Sequence, residues 1–485
     1  MARTKPTHKN IILTIMALAQ FMVVLDVSIV NIALPSIFRS LHFTSESNLQ
    51  WIVTAYTLAF GGFLLLGGRA ADLFGRRKMF IAGVTVFSAA SLMTGLAQTS
   101  TMIEITRAIQ GLAAAFMSPA ALSIVLTTFK EGKERNKALS VWGGIAAGGA
   151  AFGVLLGGLL TQYFSWRWNF FVNVPVGILV VIATTVYIKE SKAELDHSQL
   201  DLPGAVFATG GLMLLVYGLT KAPSYGWTAT HTIELLGSSV ALLIAFLINE
   251  TYTKHPLLPL KFFKIKNIAA ANLTQLPITA SLYSMFFFIT LYVQDVLHYS
   301  PVRAGVSFLP ITFIIGFIAI MMSRVIGKVG YKKPLVVAPL FMAAGLFYLT
   351  HVRVDGSYVH DVLPGLILMS MGLGAVFVSI TVAATTGVPH RESGLASGLL
   401  NTAQQIGGSL GLAILSGIAT SETAKYLASH AYQQNANLHA QVNGFHYAFY
   451  AGVGFAVLAF LFAVFLIRQK KSEKVEFDPT AGVGA

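Results

Sequence analysis

The chain has 485 residues, of which 55% are hydrophobic and only 11% charged, and its mean hydropathy is +0.69. Soluble domains carry about 25% charged residues, so there is too little polar surface here to coat a water-soluble globule, and the chain reads as a polytopic membrane protein. It contains no cysteine, which excludes a disulfide scaffold, a thiolate metal site and a cysteine nucleophile.

A membrane-spanning helix needs about 20 largely apolar residues to cross roughly 30 Å of hydrocarbon. Such stretches fall near 11–34, 51–70, 79–98, 102–128, 138–161, 169–188, 202–220 and 233–251. They continue near 268–293, 304–323, 335–352, 362–387, 398–420 and 446–467, which makes fourteen. The first begins at Ile11 and lacks a small-residue cleavage site after a short apolar core, so it reads as a retained helix and not a signal peptide.

Charge distribution orients these spans. With a cytoplasmic N-terminus, 26 of the 33 lysines and arginines fall on the inside and six (Arg39, Arg167, Lys221, Arg303, Arg353 and Lys425) on the outside, leaving Arg107 within a span. That asymmetry follows the positive-inside rule and puts both termini in the cytoplasm. The net charge of +13 is then mostly topology, with no nucleic-acid partner implied.

One segment is echoed. Gly68–Lys78, between spans two and three, and Ser323–Lys333, between spans ten and eleven, align at an offset of 255 residues. Gly75 matches Gly330 with basic residues following both, while Asp72 is matched by Gly327. Six spans plus two extra ones separate the copies. The expected organisation is an all-α integral membrane protein of two six-helix bundles: residues 1–200, an inserted helix pair at 201–256, a second bundle at 257–467, and a cytoplasmic tail at 468–485. Duplicated halves are the mark of a secondary transporter, with its substrate site between the repeats.

Two charges, Asp26 and Arg107, lie more than one helical turn inside their spans. An aspartate at membrane depth costs roughly 2.5–3.5 kcal/mol on insertion scales, which makes Asp26 a functional candidate. At about 1.5 Å per residue, it lies roughly 12 Å from the outer end of span one, and Arg107 of span four lies roughly 8–9 Å deep. The two are expected to share a hydrated cavity and serve proton coupling, because desolvation raises a carboxyl pKa and a neighbouring cation lowers it. Two structural alternatives stand beside this: an Asp26–Arg107 pair that only holds helices together, and an Arg107–Glu104 pair at i,i+3.

These segments carry a family resemblance. Gly68-Arg69-Ala70-Ala71-Asp72-Leu73-Phe74-Gly75-Arg76-Arg77 resembles the G-x-L-a-D-x-x-G-R-[RK] loop of the major facilitator superfamily, with Ala70 where leucine is usual. The resemblance implies a gating role for Gly68, Asp72, Gly75, Arg76 and Arg77. Leu25-Asp26 through Pro35, Gln50-Trp51 with Tyr56, and the run Trp166–Gly177 are similar to its fourteen-helix drug:proton antiporter subfamily (EmrB/QacA type). Arg107-x-x-Gln110-Gly111 is similar to the superfamily's span-four motif, which implies that Arg107 assists proton transfer. Gly149, Gly153, Gly157 and Gly158 resemble the antiporter glycine pattern, except that Val154 stands where that pattern has proline.

Substrate signals are amides and rings. Asn401, Gln404 and Gln405 share a helix face, span nine carries Tyr283 and Phe287, and Asn31, Tyr56 and Gln110 complete the expected cavity. Such a lining suits bulky amphipathic or aromatic compounds. If Asp26 is the only buried acid, one proton per cycle and poor export of dications follow.

No nucleotide-binding loop or catalytic cluster is present to suggest an enzyme. The expectation is therefore multidrug efflux by alternating access in a bacterial cytoplasmic membrane. It needs a proton gradient, no cofactor or metal, a small-molecule substrate, the lipid bilayer and a monomeric chain. The alternative is the same fold dedicated to one metabolite, such as a vitamin, sugar, amino acid or lipid precursor, moving in either direction.

Overall fold

Within hydrocarbon, a backbone can satisfy its own polar groups only as a helix or a closed barrel, and each of the fourteen apolar stretches is helical in the computed structural model, which describes residues 9–43, 45–129, 133–191, 201–388, 393–430 and 432–469. The first six long helices are α1 (Lys9–Ser40), α2 (Trp51–Phe74), α3 (Arg76–Gly95), α4 (Ser100–Thr128), α5 (Lys133–Tyr163) and α6 (Trp168–Tyr187). Next come α7 (Leu202–Tyr225) and α8 (Thr230–Tyr252). The remainder are α9 (Ile268–Val296), α10 (Pro301–Val329), α11 (Lys332–Leu349), α12 (Tyr358–Thr385), α13 (Ser393–His430) and α14 (Ala436–Phe465). Among the described residues, twelve of these are long and apolar enough to cross a membrane, and α5 and α13 are the other two. The tail from 470 on, and Arg3, Lys5, Lys130, Lys192, Arg391, Lys470, Lys471 and Lys474 of the charge pattern, lie outside the described residues.

Helices α1–α6 pack on one another, as do α9–α14, and α7 lies against α2 and α13 on one flank between the two groups, with α8 packed on α7. Gln50 Nε2 donates to Thr220 Oγ1 at 3.0 Å, tying α7 to the start of α2. An apolar core joins both groups at the end where α1 finishes, with Ile29, Ile32 and Ile37 beside Met285, Ile289 and Phe308. The core around Met16, Phe60, Phe80 and Trp142 belongs to the first group alone.

Helix ends depart furthest from the apolar stretches between α13 and α14. α13 continues to His430, ten residues past the expected end, and α14 starts at Ala436, ten before the expected start. Hydropathy reports what faces lipid, whereas helix formation tolerates polar residues, and the Glu422–Lys425 ion pair at 2.5 Å supports the extension.

The repeated turn is a shared backbone device. Gly75 and Gly330 both have positive φ (110° and 78°), closing α2 and α10. Each is covered by an acceptor from beyond its own group's last helix. Glu190 accepts from the Arg77 and Lys78 backbone N–H groups at 3.1 Å, and Gln469 Oε1 accepts from the Lys332 N–H at 2.9 Å. A Cβ on Gly75 would lie 2.7 Å from the Glu190 carboxyl, and one on Gly330 would lie 1.6 Å from Gln469 Nε2. Gly75→Ala and Gly330→Ala should each lower stability by about 1–2 kcal/mol, the left-handed backbone penalty, read as thermal denaturation of the detergent-purified protein. Unchanged melting of both variants would refute the turn assignment.

Candidate transport site

Asp26 projects from the middle of α1 toward α4 and α6. Its Oδ2 accepts from Arg107 Nη1, while its Oδ1 accepts from Gln110 Nε2 at 3.2 Å and Asn173 Nδ2 at 3.0 Å. Arg107 is held in turn: Nε donates to the Ile52 carbonyl at 2.9 Å and Nη1 to Gln110 Oε1 at 3.1 Å. Asn173 also donates to Ser91 Oγ at 3.0 Å, and Thr94 Oγ1 donates to Gln110 Oε1 at 3.2 Å, so α3 forms the back of the network. The guanidinium sits over the Tyr56 ring, 4.3 Å from its centroid, a cation–π contact.

The expected hydrated cavity is not what surrounds this pair: Asp26 is 0% exposed and Arg107 1%. The cause is close packing. A Cβ on Gly111 would lie 2.1 Å from the Tyr56 carbonyl oxygen, so α2 and α4 meet backbone to backbone beside the pair. The Glu104 alternative fails as well, because Glu104 faces Lys221 and the Arg107 partner is Asp26.

Asp26 is not the only buried acid. Asp201, Glu250 and Asp361 are buried too, each held locally: Asp201 by Asn249 and the Gly204 N–H, Glu250 by the Leu258 N–H, and Asp361 by Arg353.

The glycines of α5 form a seam. Cβ atoms on Gly149, Gly153 and Gly157 would meet α1 at Val24, Ser28 and Ile29, at 3.2, 2.7 and 2.9 Å. Gly158 faces the other way, and its Cβ would lie 2.6 Å from the Pro301 carbonyl of α10. At the α2–α3 junction, Asp72 pairs with Arg76 at 2.8 Å and Arg77 Nη2 reaches the Thr185 carbonyl at 2.9 Å. Gly68 lies against Pro119 of α4, with a would-be Cβ contact of 3.5 Å.

The expected cavity residues separate. Tyr283 donates to Gln405 Oε1 at 3.1 Å, and Gln405 Nε2 to Asn401 Oδ1 at 3.4 Å; Gln404, on the same helix, is half-buried. Asn31 is half-buried and returns its amide to the Val27 carbonyl. Two residues lie elsewhere. Gln110 belongs to the ion-pair network, and Phe287 is wholly buried in the apolar core edge-on to Phe288. Across the two groups, the Thr57 and Ser409 hydroxyls meet at 2.6 Å and Thr402 Oγ1 donates to the Gly61 carbonyl at 3.3 Å. Asn173, Ser91 and Thr94 escaped sequence reasoning as site residues. Asn173 stood in view within the Trp166–Gly177 run, but nothing local tied it to Asp26.

The family model described as Major Facilitator Superfamily matches residues 16–412. The chain belongs to the Major Facilitator Superfamily. It is therefore a multi-pass membrane transporter and not an enzyme. Among similar curated proteins is the puromycin resistance protein pur8 of Streptomyces alboniger, 39% identical over 97% of this chain and 93% of that protein. The cephamycin export protein CmcT of Amycolatopsis lactamdurans is 37% identical, covering 88% of this chain and 89% of its own. The multidrug resistance protein Stp of Mycobacterium tuberculosis is 32% identical over 87% and 78%. Among solved structures, the transporter PepTSo superposes with a TM-score of 0.67 at 14% identity, over 95% of this chain and 98% of that one, a likeness of fold. Within this superfamily member, the ion pair lies wholly in the first half, whereas the Tyr283–Gln405–Asn401 chain lies wholly in the second.

Proposed function

We propose that this transporter is a proton-driven exporter of lipophilic and amphipathic compounds, a fourteen-helix drug:proton antiporter of a bacterial cytoplasmic membrane. In this reading α5 and α13 span the bilayer with the other twelve helices, both termini are cytoplasmic, and the functional units are residues 1–200, 201–256 and 257–467. It works as a monomer without a cofactor.

The observation that carries the reading is the buried Asp26–Arg107 pair. Oδ1 is held by two neutral amides and Oδ2 by one cation, so a proton can replace the cation with little other rearrangement. Tilting of the halves that draws Arg107 away leaves a buried carboxylate whose desolvation favours protonation. Returning Arg107 expels the proton, and each state of Asp26 is locally neutralised. The network contains a single acid, so one proton moves per cycle. Relatives bearing resistance and export names support the outward direction, and the amide-and-ring lining of the second half suits uncharged or singly charged aromatic compounds.

Inverted membrane vesicles with an acidic interior test this directly. They should accumulate ethidium in proportion to the imposed gradient and release it when a protonophore is added. Accumulation indifferent to the protonophore, or none at all, would overturn the assignment.

A further inference from the structure

Most polar atoms around the ion pair are engaged. The Asp26 oxygens accept from Arg107, Gln110 and Asn173, and Arg107 also donates from Nε to Ile52 and from Nη1 to Gln110. In the other half, the Tyr283 hydroxyl donates to Gln405, and its ring lies over Gly408, whose Cβ would come within 2.3 Å. Two buried atoms here lack a hydrogen-bond partner, the acceptor Asn173 Oδ1 and the Tyr56 hydroxyl, and of the two only Tyr56 has a proton to donate. Asp26, Arg107 and Tyr283 are the ionisable groups around it.

A buried hydroxyl left unmatched is unfavourable and calls for a reason. The Tyr56 backbone is pinned where Gly111 lets α4 touch it, so the residue can respond to a ligand only through its side chain. That side chain has two faces: the ring carries the Arg107 guanidinium, and the hydroxyl is an unpartnered donor on α2, a helix that packs against α13 of the second half. Beside a cation whose counter-ion is already fully used, such a donor favours an electron-rich neutral oxygen over a second positive charge.

We propose that the Tyr56 hydroxyl takes an uncharged oxygen acceptor of the transported compound, a carbonyl or an ether, and that its ring relays this contact to the Asp26–Arg107 pair. The inference rests on the export reading above and names the substrate feature which that site selects. Binding draws the ring toward the ligand and loosens its hold on the guanidinium, which readies Asp26 for protonation. Substrate capture and proton exchange thereby meet at one residue.

Equilibrium binding to the purified full-length protein, with no gradient, separates this from the function itself. Puromycin supplies carbonyl and ether oxygens, and ethidium, a permanent cation, supplies none. Tyr56→Phe keeps the ring over Arg107 and should weaken puromycin binding about tenfold, the loss of one hydrogen bond, while ethidium affinity changes by less than about twofold. Tyr56→Leu removes the ring as well and should shift the pH dependence of ethidium binding, a readout that loss of a packing contact alone would not move. Equal puromycin affinity in wild type and Tyr56→Phe overturns the proposal, as does a wild type that binds ethidium but not puromycin. Failure of the wild type to accumulate ethidium under a gradient would instead sink the export reading, whatever the binding data show.

Discussion

Asp26→Asn should abolish gradient-driven accumulation in inverted vesicles, a fall of about a hundredfold or more to the passive background, while equilibrium drug binding persists. The amide reproduces the acceptor toward Arg107 but cannot take a proton, so it removes coupling and leaves the packing of α1, α4 and α6 in place. Arg107→Ala should behave differently. It strips the only cation from a carboxylate with 0% exposure, and an uncompensated buried charge costs about 3–5 kcal/mol. The variant should therefore melt lower than the wild type in detergent. Wild-type accumulation by Asp26→Asn would refute the coupling site. An Arg107→Ala variant that melts with the wild type would mean that Asp26 finds another partner.

Gly158→Leu should shift the equilibrium between the two arrangements of the halves. The α5–α10 crossing is made by backbone: Gly158 leaves 2.6 Å to the Pro301 carbonyl, Gly305 leaves 2.5 Å to the Val154 carbonyl, and Gln162 accepts from the Val302 N–H at 3.1 Å. A leucine cannot fit there while the halves touch at this end, so they must part. Because the chain has no cysteine, a single Gln294→Cys reports the change; Gln294 is buried and donates to the Ile32 carbonyl across the halves. Labelling by a water-soluble maleimide should rise about tenfold in the Gly158→Leu background, equivalent to ~1.4 kcal/mol, with transport falling to a similar degree. Unaltered labelling together with unaltered transport would show that this crossing does not gate the cycle.

What could be read in advance follows from which features carry an energetic signature in one dimension. Asp26 and Arg107 stood out because charge at membrane depth is expensive, and Gly75 and Gly330 because a repeated turn needs a repeated backbone solution. Asn173, Ser91 and Thr94 carry no comparable cost, and their place in the network depends on α3 and α6 meeting α1. Phe287 shows the converse limit. Helical spacing sets it on a face with its neighbours, but whether that face meets a cavity or Phe288 and the core depends on which helices lie alongside.

The amino-acid order by itself determined the fourteen helical segments, the duplicated turn, the lopsided placement of lysine and arginine, and the two intramembrane charges, because lipid imposes length, polarity and charge rules on each segment separately. Only the tertiary structure decided that the acid is fully buried, that its second oxygen rests on amides from α4 and α6, and that Tyr56 is left with an unspent donor. Those outcomes depend on the gaps between helices, and at Gly111 and Gly158 the gap is set by a missing side chain whose consequence appears only once a second backbone lies against it.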